Sequence, residues 1–506
     1  MRLRVPRRLA LAAGALAVGA AAAALFFPGL GEAPLFGDEA IHALVARESA
    51  EPGRGSFLPP LYKGRPYLAK PPLKILAVAW IFDRFGPSEL HARVLDPVFG
   101  VATVVLVFLF GSRLWGPWTG ALAALLLATA QSYLFDHGVR SGVQDSAFVF
   151  LLTAALGLYF LHRESGRPVL LLVASGVALG LAALGKGAPA ALALPVLAAW
   201  ELARARRPGG LRDGVRSFSA VTALALGCYL VWVAAAYSWS EGAIFSRLYR
   251  DTVIRVTESI DPGHVHGPGF YPRQLAADFG PWLLAALPAV LVMVPSAGRQ
   301  AGRRGLGDPG AESDRLDREG LAFSGLWALT LLAVLSLSVS KLPWYLYPAY
   351  PAISLVLARG TAEAVRRAGR APVLAVVLVA LVLLGLWRRV EAVRSRLEEE
   401  PRVVKAKVYA EAIAELPHAR LIIDRRVKFR AWQMYYLAPL GERPWAVPAD
   451  VRTPSPGVCR FLLWRVQWAP GHVKARHPVR ALPLDRIGEG SQPWLLDLDR
   501  CLPSWL

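Results

Sequence analysis

Residues 9–27 read LALAAGALAVGAAAAALFF, nineteen residues without a charge. The hydrocarbon core of a bilayer is about 30 Å thick and takes roughly 20 apolar helical residues to cross. This stretch is therefore long enough to span. Similar uncharged runs recur at 169–184, Phe218–Tyr237, Leu321–Val339 and Pro372–Trp387. With 55% hydrophobic residues in a 506-residue chain, a soluble multidomain protein is a poor fit. The pattern predicts a mainly α, polytopic helical membrane protein with about eleven spans. After the first, they fall near 90–112, 117–135, 147–162, 169–185, 188–203, 217–239, 276–295, 321–339, 343–358 and 372–388. The basic start and apolar stretch resemble a signal peptide, but the apolar part exceeds the usual 7–15 residues, so an uncleaved span is expected.

The formal charge of +20 suggests nucleic acid, but its distribution does not. Arginines cluster between spans: Arg2, Arg4, Arg7 and Arg8; Arg163 and Arg167; Arg204, Arg206, Arg207, Arg212 and Arg216; Arg299, Arg303 and Arg304; Arg359, Arg366, Arg367 and Arg370. With a cytoplasmic N-terminus, alternating spans place every one of these loops in the cytoplasm, as the positive-inside rule requires. No nucleic-acid partner is expected. Residues 1–388 form the membrane domain, with a first outer loop at 28–87. Residues 389–506 are charged and Pro-rich. Short runs at Leu421–Ile423 and Arg460–Trp464 predict a small extracytoplasmic α/β domain there. Three cysteines make no disulfide framework. Cys228 falls mid-span as a small apolar residue, while Cys459 and Cys501 share the C-terminal domain, where an oxidising compartment would allow a bridge.

The polar clusters sit at span edges. Asp38 and Glu39 open an amphipathic stretch, Asp38–Ala50, expected to lie along the membrane surface. Leu73–Phe85 is too short to span comfortably and is expected to be interfacial or re-entrant. The loop 297–320 is Gly-rich and mixed in charge, and reads as a flexible linker. Of nine lysines, three fall at predicted outer edges: Lys70 before Pro71-Pro72, Lys186 between Gly185 and Gly187, and Lys341 before Leu342-Pro343. An ammonium can bind phosphate as a point charge; alternatively, each lysine only snorkels to the interface. Asp145, on the loop running from Arg140, completes an acidic set with Asp38 and Glu39. A carboxylate in hydrogen-bond reach of an acceptor hydroxyl can act as general base, or it can simply start a helix. His264 and His266 could hold a metal or line a cleft. Trp282, Trp344, Tyr345 and Tyr347 fit an interfacial aromatic belt. There is no Gly-rich nucleotide loop and no His-Glu-x-x-His motif.

Taken in order, Gly37-Asp38-Glu39 with Arg47-Glu48, Lys70-Pro71-Pro72-Leu73, Arg140 to Asp145, Gly185-Lys186-Gly187, His266 to Tyr271 with Pro281-Trp282, and Ser340-Lys341-Leu342-Pro343 through Tyr345 and Pro348 resemble the GT-C superfamily of membrane glycosyltransferases. The resemblance covers roughly 1–390 and is strongest to the bacterial branch related to protein O-mannosyltransferases and lipid A aminoarabinose transferases. It implies a polyprenyl-phosphate sugar donor, an extracytoplasmic acceptor (lipid, glycan or protein) and inverting transfer at the outer face of a bacterial inner membrane. Asp38 would be the catalytic carboxylate, with Glu39 and Asp145 beside it in the acidic set. Lys70, Lys186, Lys341, Arg140 and Tyr345 would contact the donor phosphate. No cofactor is required, and a divalent metal is an optional addition. Aminoarabinose transferases usually place Arg three residues after the first-loop Asp and an acid just before the Lys-Pro run. This chain has Ile41 and Ala69 there, which leaves sugar and acceptor open. The rival readings are a lipid-linked sugar flippase and a non-catalytic subunit of an envelope-assembly complex. Transporters often carry inverted repeats, and none is visible here.

Overall fold

The computed structural model describes residues 7–35, 37–51, 53–166, 168–207, 210–254, 257–258, 261–293, 309–369, 371–399, 435, 460–463, 479–481 and 494–497. In chain order, α1 (Arg7–Phe26) precedes α2 (Gly37–Ser49), the short strands β1 (Leu61–Tyr62) and β2 (Arg65–Pro66), and α3 (Leu73–Phe85). There follow α4 (Glu89–Arg93), α5 (Leu95–Trp115), α6 (Pro117–Ala128), α7 (Gln131–Phe135), α8 (Asp145–Glu164) and α9 (Val169–Lys186). The next are α10 (Ala193–Arg204), α11 (Gly210–Ser240), α12 (Ala243–Tyr249), α13 (Phe270–Phe279) and α14 (Ala286–Met293). The helical part ends with α15 (Pro309–Leu337), α16 (Tyr350–Ala368) and α17 (Pro372–Glu399). The linker expected at 297–320 is thus helical from Pro309 onward.

Among the described residues, eight helices are long and apolar enough to cross a membrane. This is a multi-pass helical membrane protein. The other three expected spans are helical too, but differ for identifiable reasons. α6 has 12 residues, about 18 Å at the α-helical rise, well short of the bilayer core. α10 and α16 are each preceded by a 3-10 segment, Ala188–Leu192 and Pro343–Ala349. Pro189, Pro343 and Pro348 remove backbone donors there, and a proline inside a helix breaks its bonding pattern. α16 then ends in charged residues, among them Arg359, Glu363, Arg366 and Arg367.

Small residues set the helix contacts, as expected where the hydrophobic effect no longer drives helices together. A Cβ on Gly111 would sit 2.9 Å from the Cα of Gly120, which is how α5 and α6 approach so closely. On α9, Gly176 faces Leu224 and Gly180 faces Cys228 of α11, so Cys228 packs as the small residue expected. Trp200, Phe160 and Phe323 form an aromatic knot, with centroids 5.0–5.8 Å apart, that joins α8, α10 and α15. α17 exposes Val376, Leu381 and Leu383, a face suited to lipid.

The arginines also form ion pairs between and along the helices. Arg163 pairs with Glu201 at 2.9 Å, Arg204 bridges Glu164 and Glu319, and Arg207 also pairs with Glu319. Arg359 takes Asp317 at 2.8 Å, while Arg366 and Arg367 both bind Glu363. A guanidinium packed between helices must be paired because desolvating it alone is too costly.

The chain divides into two compact units. One comprises Met1–Leu30, Pro66–Val78 and Arg93–Glu399; the other comprises Gly31–Arg65, Ala79–Ala92 and Glu400–Leu506. α17 continues to Glu399, past the boundary expected at 388/389. In the second unit, β3 (Arg460–Leu463), β4 (Val479–Ala481) and β5 (Trp494–Asp497) form an antiparallel sheet in the order β3-β5-β4. The predicted strand near Arg460 is therefore present. Leu421–Ile423, Cys459 and Cys501 lie outside the described residues.

Candidate functional site

In the first unit, the site grows from two antiparallel helices. α8 begins at Asp145, and α9 ends at Lys186, so the connection brings these two together. They form a buried ion pair. The Lys186 ammonium also lies 5.1 Å from the centre of the Phe148 ring, a cation–π contact that suits a partly dry site. Asp145 makes no helix-capping bond, since the residue before it, Gln144, holds the cap position without a side-chain bond. Its carboxylate is committed to Lys186 instead. Gly187 follows at φ +83°, a conformation that disfavours a side chain, and a Cβ there would come 3.5 Å from Pro71. The Lys70-Pro71-Pro72 turn thus rests against the Lys186-Gly187 turn. Two of the three predicted lysine positions share one neighbourhood.

The loop between α7 and α8 carries the next layer. A Cβ on Gly138 would collide with the Tyr133 carbonyl, so only glycine fits. Val139 and Arg140 donate their amides back to Tyr133 and Leu134, folding the loop tightly. Arg140 is buried and donates Nη1 to the Phe26 carbonyl at the end of α1, 2.8 Å away. That bond caps α1, a use the phosphate assignment did not include. The Tyr347 hydroxyl lies 2.6 Å and 2.5 Å from the carbonyls of Ser132 and Asp136, donating to one at a time. His137, at φ +59°, stacks on Trp344 with centroids 3.8 Å apart. Trp344 and Tyr347 therefore pack on this loop, beyond the membrane-belt role expected of them.

Lys341 stands just before those aromatics. It is buried, and its Nζ donates to the Ser338 carbonyl at 2.5 Å. Its backbone amide donates to the carbonyl of His264, and Val265 bridges to Ser340. Tyr345 closes the turn by donating its amide to Leu342. The histidines have other uses than a shared metal. His264 sits 3.9 Å from Asp261, and His266 stacks on Phe270 at 4.3 Å. Among the described residues, no group of three or more His, Cys, Asp or Glu is placed to hold a metal.

The second unit contains the acidic pair. α2 starts at Gly37, φ +58°, with Asp38 and Glu39 in its first turn. The two carboxylates differ in access: Asp38 is exposed, and Glu39 is 8% exposed. The expectation of a half-buried surface helix needs correction, because α2 is buried over most of its length, including His42 and Glu48. Polar residues that looked solvent-facing are bonded internally. Glu48 accepts the amides of Lys63 and Gly64, both at 2.9 Å. Those two residues have positive φ, the geometry of a tight two-residue hairpin turn, so Glu48 fastens the β1–β2 tip to α2. Arg47 donates to the Tyr435 carbonyl at 3.1 Å, and burial pulls its guanidinium below its ordinary pKa. Burial first, and then the Glu48 charge, raise the Tyr62 hydroxyl.

Sequence reasoning missed Lys74, Asp96 and Ser146. Lys74 opens α3, and its Nζ lies 2.5–2.7 Å from both Asp96 oxygens of α5. It also donates to the Val143 carbonyl. Ser146 donates to the same Asp96 carboxylate at 2.6 Å. The available signal was a lysine and an aspartate inside otherwise apolar segments, which by itself marks a functional candidate.

Comparison with known proteins shows what the chain and its fold are similar to. Residues 47–238 match the family described as dolichyl-phosphate-mannose-protein mannosyltransferase. The chain is 29% identical to the undecaprenyl phosphate-alpha-4-amino-4-deoxy-L-arabinose arabinosyl transferase of Pseudomonas paraeruginosa over 402 residues, 78% of this chain and 66% of that one. It is 25% identical to an uncharacterised Aquifex aeolicus protein over 305 residues, 60% of this chain and 55% of the other. The chain thus spans between about half and two thirds of the length of these relatives. Its fold is similar to that of ArnT from Cupriavidus metallidurans solved with undecaprenyl phosphate: TM-score 0.68, 16% identity, covering 95% of this chain and 97% of that one. It is also similar to the archaeal oligosaccharyltransferase AglB from Archaeoglobus fulgidus, solved with an inhibitory peptide and a dolichol-phosphate: TM-score 0.55, 12% identity, covering 89% and 62%. The chain resembles the GT-C membrane glycosyltransferases, as its ordered motifs implied, and its helical fold is of that type.

Proposed function

We propose that this protein is a membrane glycosyltransferase that moves a sugar from a polyprenyl-phosphate donor to an acceptor outside the cytoplasm. The observation that carries this reading is the buried Asp145–Lys186 pair with the Lys70-Pro71-Pro72 turn packed beside it. An ammonium buried beside an aromatic ring is suited to a phosphate that gains charge as it leaves. Charge-stabilising groups aimed at developing charge are usually the largest single term in such catalysis. In the proposed step, an acceptor hydroxyl attacks the anomeric carbon from the face opposite the phosphate. A new C–O bond forms, the bond to the phosphate oxygen breaks, and the configuration inverts. The hydroxyl proton passes to Asp38, and the leaving group departs as polyprenyl phosphate. Lys70, Lys186 and Lys341 would hold the phosphate, with Arg140 and Tyr345 assisting. Asp38 is favoured over Glu39 as the base because it is the exposed member of the pair. The chain's match to named arabinosyl transferases supports a lipid-phosphate donor.

The test is transfer by purified protein in detergent, given undecaprenyl-phosphate-linked sugars and envelope lipid, glycan or protein fractions. Release of undecaprenyl phosphate together with a glycosyl mass increment on an acceptor is the expected result. A flippase produces neither without a membrane. Within that assay, Lys341→Ala should raise KM for the donor about tenfold or more while kcat changes little. Its Nζ bond is to a backbone carbonyl, so its removal strands no buried carboxylate. A wild-type KM would take Lys341 out of the donor site.

A further inference from the structure

Lys74, Asp96 and Ser146 form a buried knot that touches three parts of the proposed site without belonging to any of them. Lys74 lies four residues beyond Lys70, in the first turn of α3, and Leu76 donates to Pro72 to close that turn. Asp96 lies at the start of α5 and is fully buried. Ser146 directly follows Asp145. Through Lys74, the same ammonium also holds the carbonyl of Val143, in the loop that carries Arg140. One carboxylate therefore ties the Lys70-Pro71-Pro72 turn to the start of α8. All three side chains are packed out of water: Lys74 is 5% exposed, and Asp96 and Ser146 are 0% exposed.

We infer that Lys74, Asp96 and Ser146 are positioning residues that set the Lys70 turn in register with the Asp145–Lys186 pair. The inference rests on the transferase reading for what is being positioned. The physical basis is the geometry of the anchors. The turn carrying Lys70 has two prolines and half-exposed residues on either side, so its height and rotation depend on where α3 begins. Lys74 determines that by reaching two fixed points, the Asp96 carboxylate and the Val143 carbonyl. Catalytic arrangements tolerate little slack, since a displacement of about 1 Å can cost about a hundredfold in rate. A buried pair that served only to hold the fold could be replaced by apolar residues of similar size without loss. That distinction can be measured.

The experiment compares three full-length variants with wild type in detergent: Lys74→Met with Asp96→Leu together, Ser146→Ala alone, and the triple combination. Three quantities are read: thermal midpoint, turnover, and binding of undecaprenyl phosphate by itself. The paired replacement should keep the wild-type midpoint but bind undecaprenyl phosphate at least tenfold more weakly and turn over about tenfold to a hundredfold more slowly. Ser146→Ala should lose several-fold in both, and should add nothing in the paired background because it acts through Asp96. Wild-type binding and turnover in the paired replacement would overturn the inference. So would a Ser146→Ala effect that adds in full to it. If the paired replacement does not fold, Ser146→Ala decides alone: unchanged binding at an unchanged midpoint counts against the inference. If wild type binds undecaprenyl phosphate yet transfers nothing, the transferase reading fails, and the binding comparison still decides this one.

Discussion

Asp38→Asn is expected to abolish transfer, lowering kcat by roughly a hundredfold to ten-thousandfold, the range over which a positioned general base contributes. The protein should remain folded. Asp38 is exposed in the first turn of α2, where losing a negative charge near a helix N-terminus costs about 0.3–1 kcal/mol. An effect that small cannot explain a rate loss of that size, so the two contributions separate cleanly. Initial rates and thermal midpoints of the same preparations provide the check. If Asp38→Asn transfers at the wild-type rate, Asp38 is not the base, and the reading must move to another carboxylate. Glu39→Gln is the companion measurement: its buried carboxylate should affect stability more than chemistry.

The second large effect is expected at the Asp145–Lys186 pair. Lys186→Ala leaves a buried carboxylate without its partner, and breaking such a pair typically costs about 3–5 kcal/mol of stability. That variant should express poorly or melt early, which says little about chemistry. The informative protein is Asp145→Leu with Lys186→Met. Replacing both members with apolar residues of similar volume is often neutral or stabilising. Its midpoint should match wild type, while turnover should fall about a hundredfold or more, as it does when a group that stabilises developing charge is removed. Retained turnover in this double variant would show the pair to be a staple between α8 and α9 and nothing more.

The membrane character, the helical class and most helix positions were legible in the linear chain because they depend on local quantities. Run length and the absence of charge determine whether a segment can enter lipid, and both are read residue by residue. Leu9–Phe27 and Pro372–Trp387 needed no partner to be recognised. The Pro-rich starts at Ala188 and Pro343 were local too, but a hydropathy reading does not count backbone donors, so those two segments looked like ordinary spans. The roles of the arginines were half legible. Their clustering carries the expected orientation, but Glu201 and Glu319, the partners of Arg163, Arg204 and Arg207, come from other helices, whereas Glu363 lies on the same helix as Arg359, Arg366 and Arg367.

For the candidate site, the chain alone supplied residue types and their order. That Lys186 meets Asp145 follows from the antiparallel run of α8 and α9 and their lengths, and could have been anticipated. That Pro71 lies against Gly187, that Arg140 caps α1, and that Asp96 binds both Lys74 and Ser146 could not. These contacts join positions 22 to 116 residues apart in sequence, by subtraction of their residue numbers. Nothing in the local sequence records which ends of the helices face one another. Only packing determines that, because a buried charge must find its counter-charge wherever the folded helices happen to present it. The same holds for α2, whose polar residues and helically spaced apolar ones suggest a surface helix until the burial of Glu48 beneath its hairpin is seen. Local chemistry chose the elements; the pairing of desolvated charges across distant elements built the site.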